Sequence, residues 1–259
     1  MSTQLVHDAL GLFSGSFVGF SLGLVGGGGS IPAVPLMIYL VGVPSVHIAI
    51  GTSALAVAVN AAANLLSHAR MGTVKWRCAS VFSVAGVVGA FGGSSLSKIV
   101  DGQRLLALFA MLMLIVAAFM FARRSSKGDA DAQLNRENFP KLLLSGFMTG
   151  ALSGFFGIGG GFLIVPGLMF ATGMPIINAI GSSLVAVTAF GATAALNYAA
   201  SGLVDWRLAV MFIGGRVVGG LVGGRIAHSV GGKRGALNSI FAGVILLVAI
   251  YMLTRSVLL

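Results

Sequence analysis

The feature that most constrains the fold of this chain is a glycine-rich element that occurs twice between long apolar runs. Residues 23–30 read Gly-Leu-Val-Gly-Gly-Gly-Gly-Ser, and residues 154–161 read Gly-Phe-Phe-Gly-Ile-Gly-Gly-Gly. A glycine inside a helix costs about 1 kcal/mol relative to alanine, so consecutive glycines favour a break in the helix. Within lipid, the backbone groups of a break are tolerated only where they line a protein-buried or water-filled cavity. Breaks at matching positions in two halves therefore indicate a transport site.

Composition places this element in a membrane protein. The chain is 57% hydrophobic and 8% charged, whereas about a quarter of the residues of a soluble domain are charged. The net charge of +10 comes mainly from short loops, as orientation by positive cytoplasmic loops requires, so it does not indicate nucleic-acid binding. We predict an all-α polytopic protein that spans the lipid bilayer of the inner membrane several times and binds no nucleic acid.

The sequence offers no metal or cofactor site. A single cysteine, Cys78, excludes an internal disulfide and a multi-thiolate metal site. The histidines are spaced in a way that suits no metal site. Neither glycine element is followed by the Lys-Ser/Thr of a nucleotide-binding loop. We therefore expect no metal, no cofactor and no catalytic residues, and we predict that the protein is not an enzyme.

Apolar runs alternate with short polar segments along both halves of the chain. About 20 residues cross the hydrocarbon core as a helix, and the third to fifth runs of each half reach that length. The two runs that flank each glycine element are shorter, so we predict 8–10 transmembrane segments. The runs are residues 9–25, 31–41, 46–66, 79–97, 105–122, 142–156, 162–171, 176–199, 208–227 and 236–253.

The two halves of the chain resemble each other in sequence. Pro35 and Pro166 follow the two glycine elements at the same distance, and residues 72–77 resemble residues 202–207 at nearly the same offset as the prolines. Matches in this order indicate an internal duplication. The predicted domains are a first helical repeat, residues 9–122, a polar cytoplasmic linker, residues 123–141, and a second helical repeat, residues 142–255.

The orientation of the repeats depends on whether the two short runs that flank each glycine element cross the membrane separately. If both short runs cross the membrane, every half has five spans and the repeats are inverted. If they form one bent span or a re-entrant hairpin, each half has four or three full spans, and four-span halves are parallel. The distribution of Lys and Arg slightly favours the inverted arrangement, which we adopt.

Two motifs connect the chain with a known family. Both halves carry a G-x-x-G-x-G-G…P element, and residues 202–206 form a G-x-V-D-W loop whose first copy has Lys75 in place of the aspartate. In these motifs, in size and in its repeat, the chain resembles the TauE/SafE (sulfite exporter, TSUP) permease family over nearly its whole length. The resemblance implies transport of a sulfur-containing anion such as sulfite, a sulfonate or an organosulfur carboxylate. The family is diverse, so the individual substrate does not carry over.

The glycine breaks are themselves candidate anion sites. If Ile31 and Phe162 open short helices, the free N–H groups at the helix starts face the break. A helix N-terminus carries roughly +0.5 of an elementary charge and favours anions. The alternative is a packing kink where two helices cross closely. The candidate substrate-binding residues of the breaks are Gly28, Gly29, Ser30, Gly159, Gly160 and Gly161.

Arg216 is the candidate that supplies charge. It lies roughly 12 Å into the apolar run 208–227, near the middle of a core about 30 Å thick. A charge at that depth costs at least about 2.5 kcal/mol, so it should face a cavity or a partner. All six acidic residues lie near run ends or in loops, and a guanidinium suits a sulfonate or carboxylate. The alternatives are hydrogen bonds to helix-end carbonyls or snorkelling to the membrane surface. The counterpart in the first half is Gly86, so the role would be asymmetric.

Small hydroxyl side chains follow each break at matching positions. Thr52, Ser53, Ser182 and Ser183 could contact the substrate from both halves, or hydrogen-bond their own backbone, the commoner use. Asn197 lies on a long apolar helix, where bonding between helices is the default expectation.

Together these features predict a transporter of a small sulfur-containing anion, with its site between the halves near mid-depth. The rival interpretations are a transporter of another small anion or of a metal cation, and a membrane assembly subunit. The direction of transport and the oligomeric state stay open, and a homo-oligomer is one of the alternatives. No acidic residue lies within an apolar run. We therefore expect the anion to move down the membrane potential, or its transport to be coupled to an ion through backbone and substrate groups.

Overall fold

The structure is a computed structural model, which describes residues 2–25, 32–122, 135–157 and 161–229, with a few residues between 246 and 254. These ranges contain helices and no strand, which confirms the all-α prediction for the described part of the chain. The helices are α1 Ser2–Val25, α2 Ala33–Tyr39, α3 Val46–Arg70, α4 Trp76–Ile99, α5 Gly102–Ala122, α6 Phe139–Phe156, α7 Gly161–Thr172, α8 Ile176–Ala200 and α9 Trp206–Ser229.

Three of these helices have the length and composition of membrane spans. They are Val46–Arg70, Trp76–Ile99 and Ile177–Ala200. Two apolar helical segments are shorter, Gly102–Ile115 and Leu163–Thr172. The predicted total of 8–10 spans stays a prediction, because most of the last apolar run lies outside the described residues.

Helices in the two halves have matching lengths. Helices α3 and α8 are equally long, and so are α4 and α9. The start of α8 follows that of α3 at the same sequence spacing that separates the starts of α9 and α4. The turns that follow α3 and α8 use glycines in the left-handed region, Gly72 at φ 68° and Gly202 at φ 70°, where a side chain would be strained. The helix spacing is also that of the matched residues 72–77 and 202–207 in the sequence.

The chain forms two compact units. Unit 1 contains Met1–Ile50, Val100–Ser126 and Asp205–Leu259, and unit 2 contains Gly51–Ile99 and Lys127–Val204. Each unit therefore takes helices from both halves of the sequence. The repeat boundaries proposed above stay a prediction.

In unit 1, α1 and α9 pack with their backbones in direct contact. A Cβ atom at Gly15 would overlap the carbonyl oxygen of Phe212, and one at Gly19 would overlap that of Arg216. Small residues that let backbones approach are typical of helix packing in membranes. The glycines of α1 thereby fix the position of Arg216 on α9.

In unit 2, α4 and α6 pack in the same way. A Cβ atom at Gly146 would overlap the carbonyl oxygen of Phe82, and one at Gly150 would overlap that of Gly86. Beside this pair, the rings of Phe82 and Phe190 stack with centroids 6.1 Å apart in the core of the unit. Glycine contacts thus join α4 to α6, while aromatic packing joins α4 to α8.

Candidate functional site

Arg216 is the most unusual side chain of unit 1. It is 1% exposed, and it is the one charged residue that is buried among the described residues. Its Nε and Nη1 atoms are buried and have no hydrogen-bond partner in the described part of the chain. Its guanidinium carbon lies 5.9 Å from the centroid of the Phe212 ring, one turn earlier on α9. The side chain is therefore held by packing, with donors left for a further group.

No described carboxylate balances the charge of Arg216. The carboxylate of Asp8 on α1 pairs instead with Arg207, at the start of α9. That pair lies at the exposed end of the helix, where the Arg207 side chain is 56% exposed. Asp205 is exposed too, and its Oδ1 accepts a hydrogen bond from the Leu208 N–H at 2.9 Å. Within the described residues, Nε and Nη1 of Arg216 bond to no helix-end carbonyl, and its side chain does not reach the surface.

The first glycine element lies outside the described residues, including Gly28, Gly29 and Ser30. Gly159 and Gly160 of the second element lie outside them too. Gly161 is described: it is buried and begins α7, immediately before the predicted helix start. Unit 2 therefore shows the two edges of the second break, α6 before it and α7 after it.

Ser53 holds the edge of this break on the α6 side. Helix α6 ends at Gly157, which has a left-handed φ of 64° and donates its N–H to the Ser153 carbonyl at 2.9 Å. The Ser53 hydroxyl, fully buried on α3, donates to the Gly157 carbonyl at 3.0 Å. The carbonyl at the end of α6, which has no partner within its own helix, is thereby satisfied. The sequence placed Ser53 near a break but did not indicate this partner.

The predicted hydroxyls of α8 bond to backbone groups. Ser182 accepts a hydrogen bond from the Lys75 N–H at 2.8 Å. Ser183 donates to the Ile180 carbonyl of its own helix at 2.8 Å. Thr52 on α3 is fully buried. The hydroxyls lie in unit 2 and Arg216 in unit 1, and the role of each in substrate binding stays a prediction.

A polar cluster that the sequence indicated only in part joins α4 to α8. The Lys98 ammonium donates to Asn197 Oδ1 at 2.8 Å and to the Ser201 hydroxyl at 2.9 Å. The Asn197 amide donates to the hydroxyls of Ser94 and Ser95 at 2.7 and 2.9 Å. Asn197 thus makes the interhelical bonds expected of it. The lysine is satisfied by neutral groups near the ends of both helices, so this cluster is structural.

The described residues contain no group of three or more His, Cys, Asp or Glu side chains that could hold a metal ion. Cys78 is a buried free thiol within the hydrophobic core of unit 2.

Comparisons with known proteins add independent information. The model of the family described as Sulfite exporter TauE/SafE matches residues 11–252. A "Probable membrane transporter protein" of Xylella fastidiosa (strain 9a5c) is 52% identical over 244 residues, which cover 94% of each chain. The "Probable membrane transporter protein YdhB" of Bacillus subtilis (strain 168) is 28% identical over 214 residues, 82% of this chain and 86% of YdhB. No solved structure matches.

Proposed function

The chain belongs to the Sulfite exporter TauE/SafE family, and from this membership we propose that it carries a small sulfur-containing anion, such as sulfite or a sulfonate, across the inner membrane. The family and the names of the relatives indicate a membrane transporter and not an enzyme. Three statements go beyond family membership and are the proposal: the substrate is an anion, it contains sulfur, and the membrane is the inner membrane.

The observation that carries the proposal is the buried guanidinium of Arg216. Two of its nitrogen atoms lack any described partner, and an unpaired charge in the interior costs several kcal/mol. A bound anion would compensate this charge and accept two parallel hydrogen bonds. A cation would meet repulsion at the same place, which argues against transport of a metal ion.

The rest of the proposed site comes from the breaks and the hydroxyls. Gly161 begins a helix of 12 residues, and the N–H groups at a helix start favour an anion. Ser53 bonds to Gly157 at the other edge of that break. With Arg216, the proposed substrate-binding residues are Gly28, Gly29, Ser30, Gly159, Gly160, Gly161, Thr52, Ser53, Ser182 and Ser183.

We propose further that the chain is an internal duplication with inverted repeats and 8–10 spans. The equal lengths and the constant spacing of α3 with α8 and of α4 with α9 support the duplication. No described carboxylate is buried, which supports anion movement down the membrane potential, or coupling through backbone and substrate groups. Stoichiometric proton movement through a protein carboxylate would contradict this coupling.

The first test measures thermal stabilisation of the purified protein by sulfite, sulfate, thiosulfate, sulfoacetate, taurine and acetate. We expect selective stabilisation by a sulfur oxyanion, and we expect Arg216→Gln to abolish it because the compensating charge is gone. Arg207→Gln is the matched control, since it removes a charge from the exposed end of the same helix. That variant should keep the response.

Stabilisation that Arg216→Gln leaves unchanged would assign Arg216 a structural role. Stabilisation by acetate but by no sulfur compound would favour a transporter of another anion. Divalent metal ions tested on the same protein should have no effect, and a response to them would favour the cation alternative. No response to any solute would favour an assembly subunit.

A further inference from the structure

Among the described residues, the protein interior offers a substrate a single positive charge. Arg216 is the one buried charged side chain among the described residues. Lys98 bonds to Asn197 and Ser201 near the ends of α4 and α8. Arg207 is paired with Asp8. Neither of these cations is left to share an anion with Arg216.

The position that corresponds to Arg216 in the first half, Gly86, cannot supply a second cation. A Cβ atom at Gly86 would overlap the ring of Phe190 and come close to the carbonyl oxygen of Gly146. The Phe190 ring is fully buried and stacks on Phe82. Aromatic packing thus fills, in unit 2, the place where a side chain at position 86 would stand.

One guanidinium neutralises one negative charge. A monoanion paired with Arg216 would form a neutral pair, whereas a dianion would leave a net negative charge in a low-dielectric environment. Burying an uncompensated charge costs several kcal/mol even after the protein relaxes. The charge of an anion should therefore affect its binding affinity more strongly than its shape does, and monoanions should bind more tightly than dianions.

We propose that the Arg216 site binds one monoanion per chain and discriminates against dianions. This inference rests on the proposed function, because it takes Arg216 as the anion ligand. It goes beyond that function by naming the charge of the substrate and the number of sites.

A consequence concerns sulfite, which changes between a monoanion and a dianion near neutral pH. Its binding should weaken as the pH rises, whereas a sulfonate keeps its single charge. The protein has its own titratable groups near α9: His7 and Asp8 on α1, which packs against it, and Asp205 and His228 on or beside α9. A permanent monoanion measured at the same pH values controls for their titration.

The experiment is isothermal titration of the purified full chain with methanesulfonate and sulfate, a monoanion and a dianion of similar size. We expect one methanesulfonate per chain and sulfate binding at least about tenfold weaker, a difference of about 1.4 kcal/mol. Sulfite should bind more tightly below neutral pH than above it, with methanesulfonate unchanged. Arg216→Lys, which keeps the charge, should keep this order of preference, and Arg216→Gln should lose methanesulfonate binding.

Sulfate binding as tightly as methanesulfonate would overturn the inference while leaving the anion site in place. Two methanesulfonate ions per chain, or sulfite binding that strengthens as the pH rises, would overturn it in the same way. If neither anion binds the wild-type protein at any pH tested, the proposed function itself fails and the inference fails with it.

Discussion

The Ser53 hydroxyl is the clearest case in which a single side chain supports the backbone of the proposed site. It is fully buried and donates to the carbonyl of Gly157, at the point where α6 ends. Gly157 is a left-handed residue, so the chain changes direction there. The serine thus connects α3 to the edge of the second glycine element and fixes how that element begins.

We expect Ser53→Ala to lower the free energy of unfolding by about 1–3 kcal/mol, because the buried Gly157 carbonyl would lose a partner. Substrate affinity should fall as well, since the break is no longer held. Ser145→Ala is the matched control, because Ser145 is not among the proposed binding residues and its hydroxyl bonds only within α6 in the described structure. Thermal unfolding and anion binding of both variants check the prediction, and equal effects would contradict it.

Sequence reasoning located single residues well where the signal was local. The position of Arg216 in an apolar run indicated that it faces a cavity or a partner, and the structure shows its side chain buried in the protein. Its depth in the membrane stays a prediction. The bond from Ser53 to Gly157 joins residues 104 positions apart, and no local pattern encodes such a contact. Ser182 on α8 is a second example, because its partner is the amide of Lys75, 107 positions away in the loop before α4.

At the scale of helices, the apolar runs marked the apolar part of each helix and not its full length. The run at 79–97 became α4, Trp76–Ile99, because Trp76 and Arg77 continue the helix beyond the apolar part. Helix α1 likewise begins at Ser2, well before its run at 9–25. Polar residues can extend a helix outside the hydrocarbon core without cost to its backbone hydrogen bonds. The end of α6 at Phe156 was predicted to the residue, because the left-handed Gly157 that follows terminates the helix.

The helix pairs α1–α9 and α4–α6 depend on glycines at their contacts. We expect Gly150→Ala to destabilise the protein by about 1–3 kcal/mol, because the new methyl group would overlap the backbone of Gly86. Gly92→Ala on α4 is the matched control: nothing lies within 4 Å of a Cβ there, and alanine favours the helix by roughly 0.5–1 kcal/mol.

Thermal unfolding of the two alanine variants in the same detergent makes this comparison. If Gly150→Ala and Gly92→Ala shifted the midpoint of thermal unfolding equally, the prediction would be wrong, because Gly150 would then not be needed for the close packing of α4 against α6.

At the scale of the whole molecule, each compact unit contains the same helix pairing built from opposite halves. In unit 1, Gly15 of α1 meets the carbonyl of Phe212 on α9. In unit 2, Gly146 of α6 meets the carbonyl of Phe82 on α4. Gly146 follows Gly15 by 131 positions and Phe212 follows Phe82 by 130, which are the offsets of the proposed repeat. The sequence contains both correspondences, but the exchange of partners is a tertiary feature that repeat matching does not reveal.

This exchange predicts how a divided chain should behave. If the chain is cut within residues 123–134, the first half keeps α1 without α9 and α4 without α6. Each half then exposes glycine faces that need the other half. We expect neither half alone to resist protease in membranes, and both halves produced together to copurify and resist it. The uncut chain with a Gly/Ser insertion at the same position is the control. A half that resists protease alone would contradict the prediction. It would mean that a half folds without its partner helices, so that the α1–α9 and α4–α6 contacts are not required for folding.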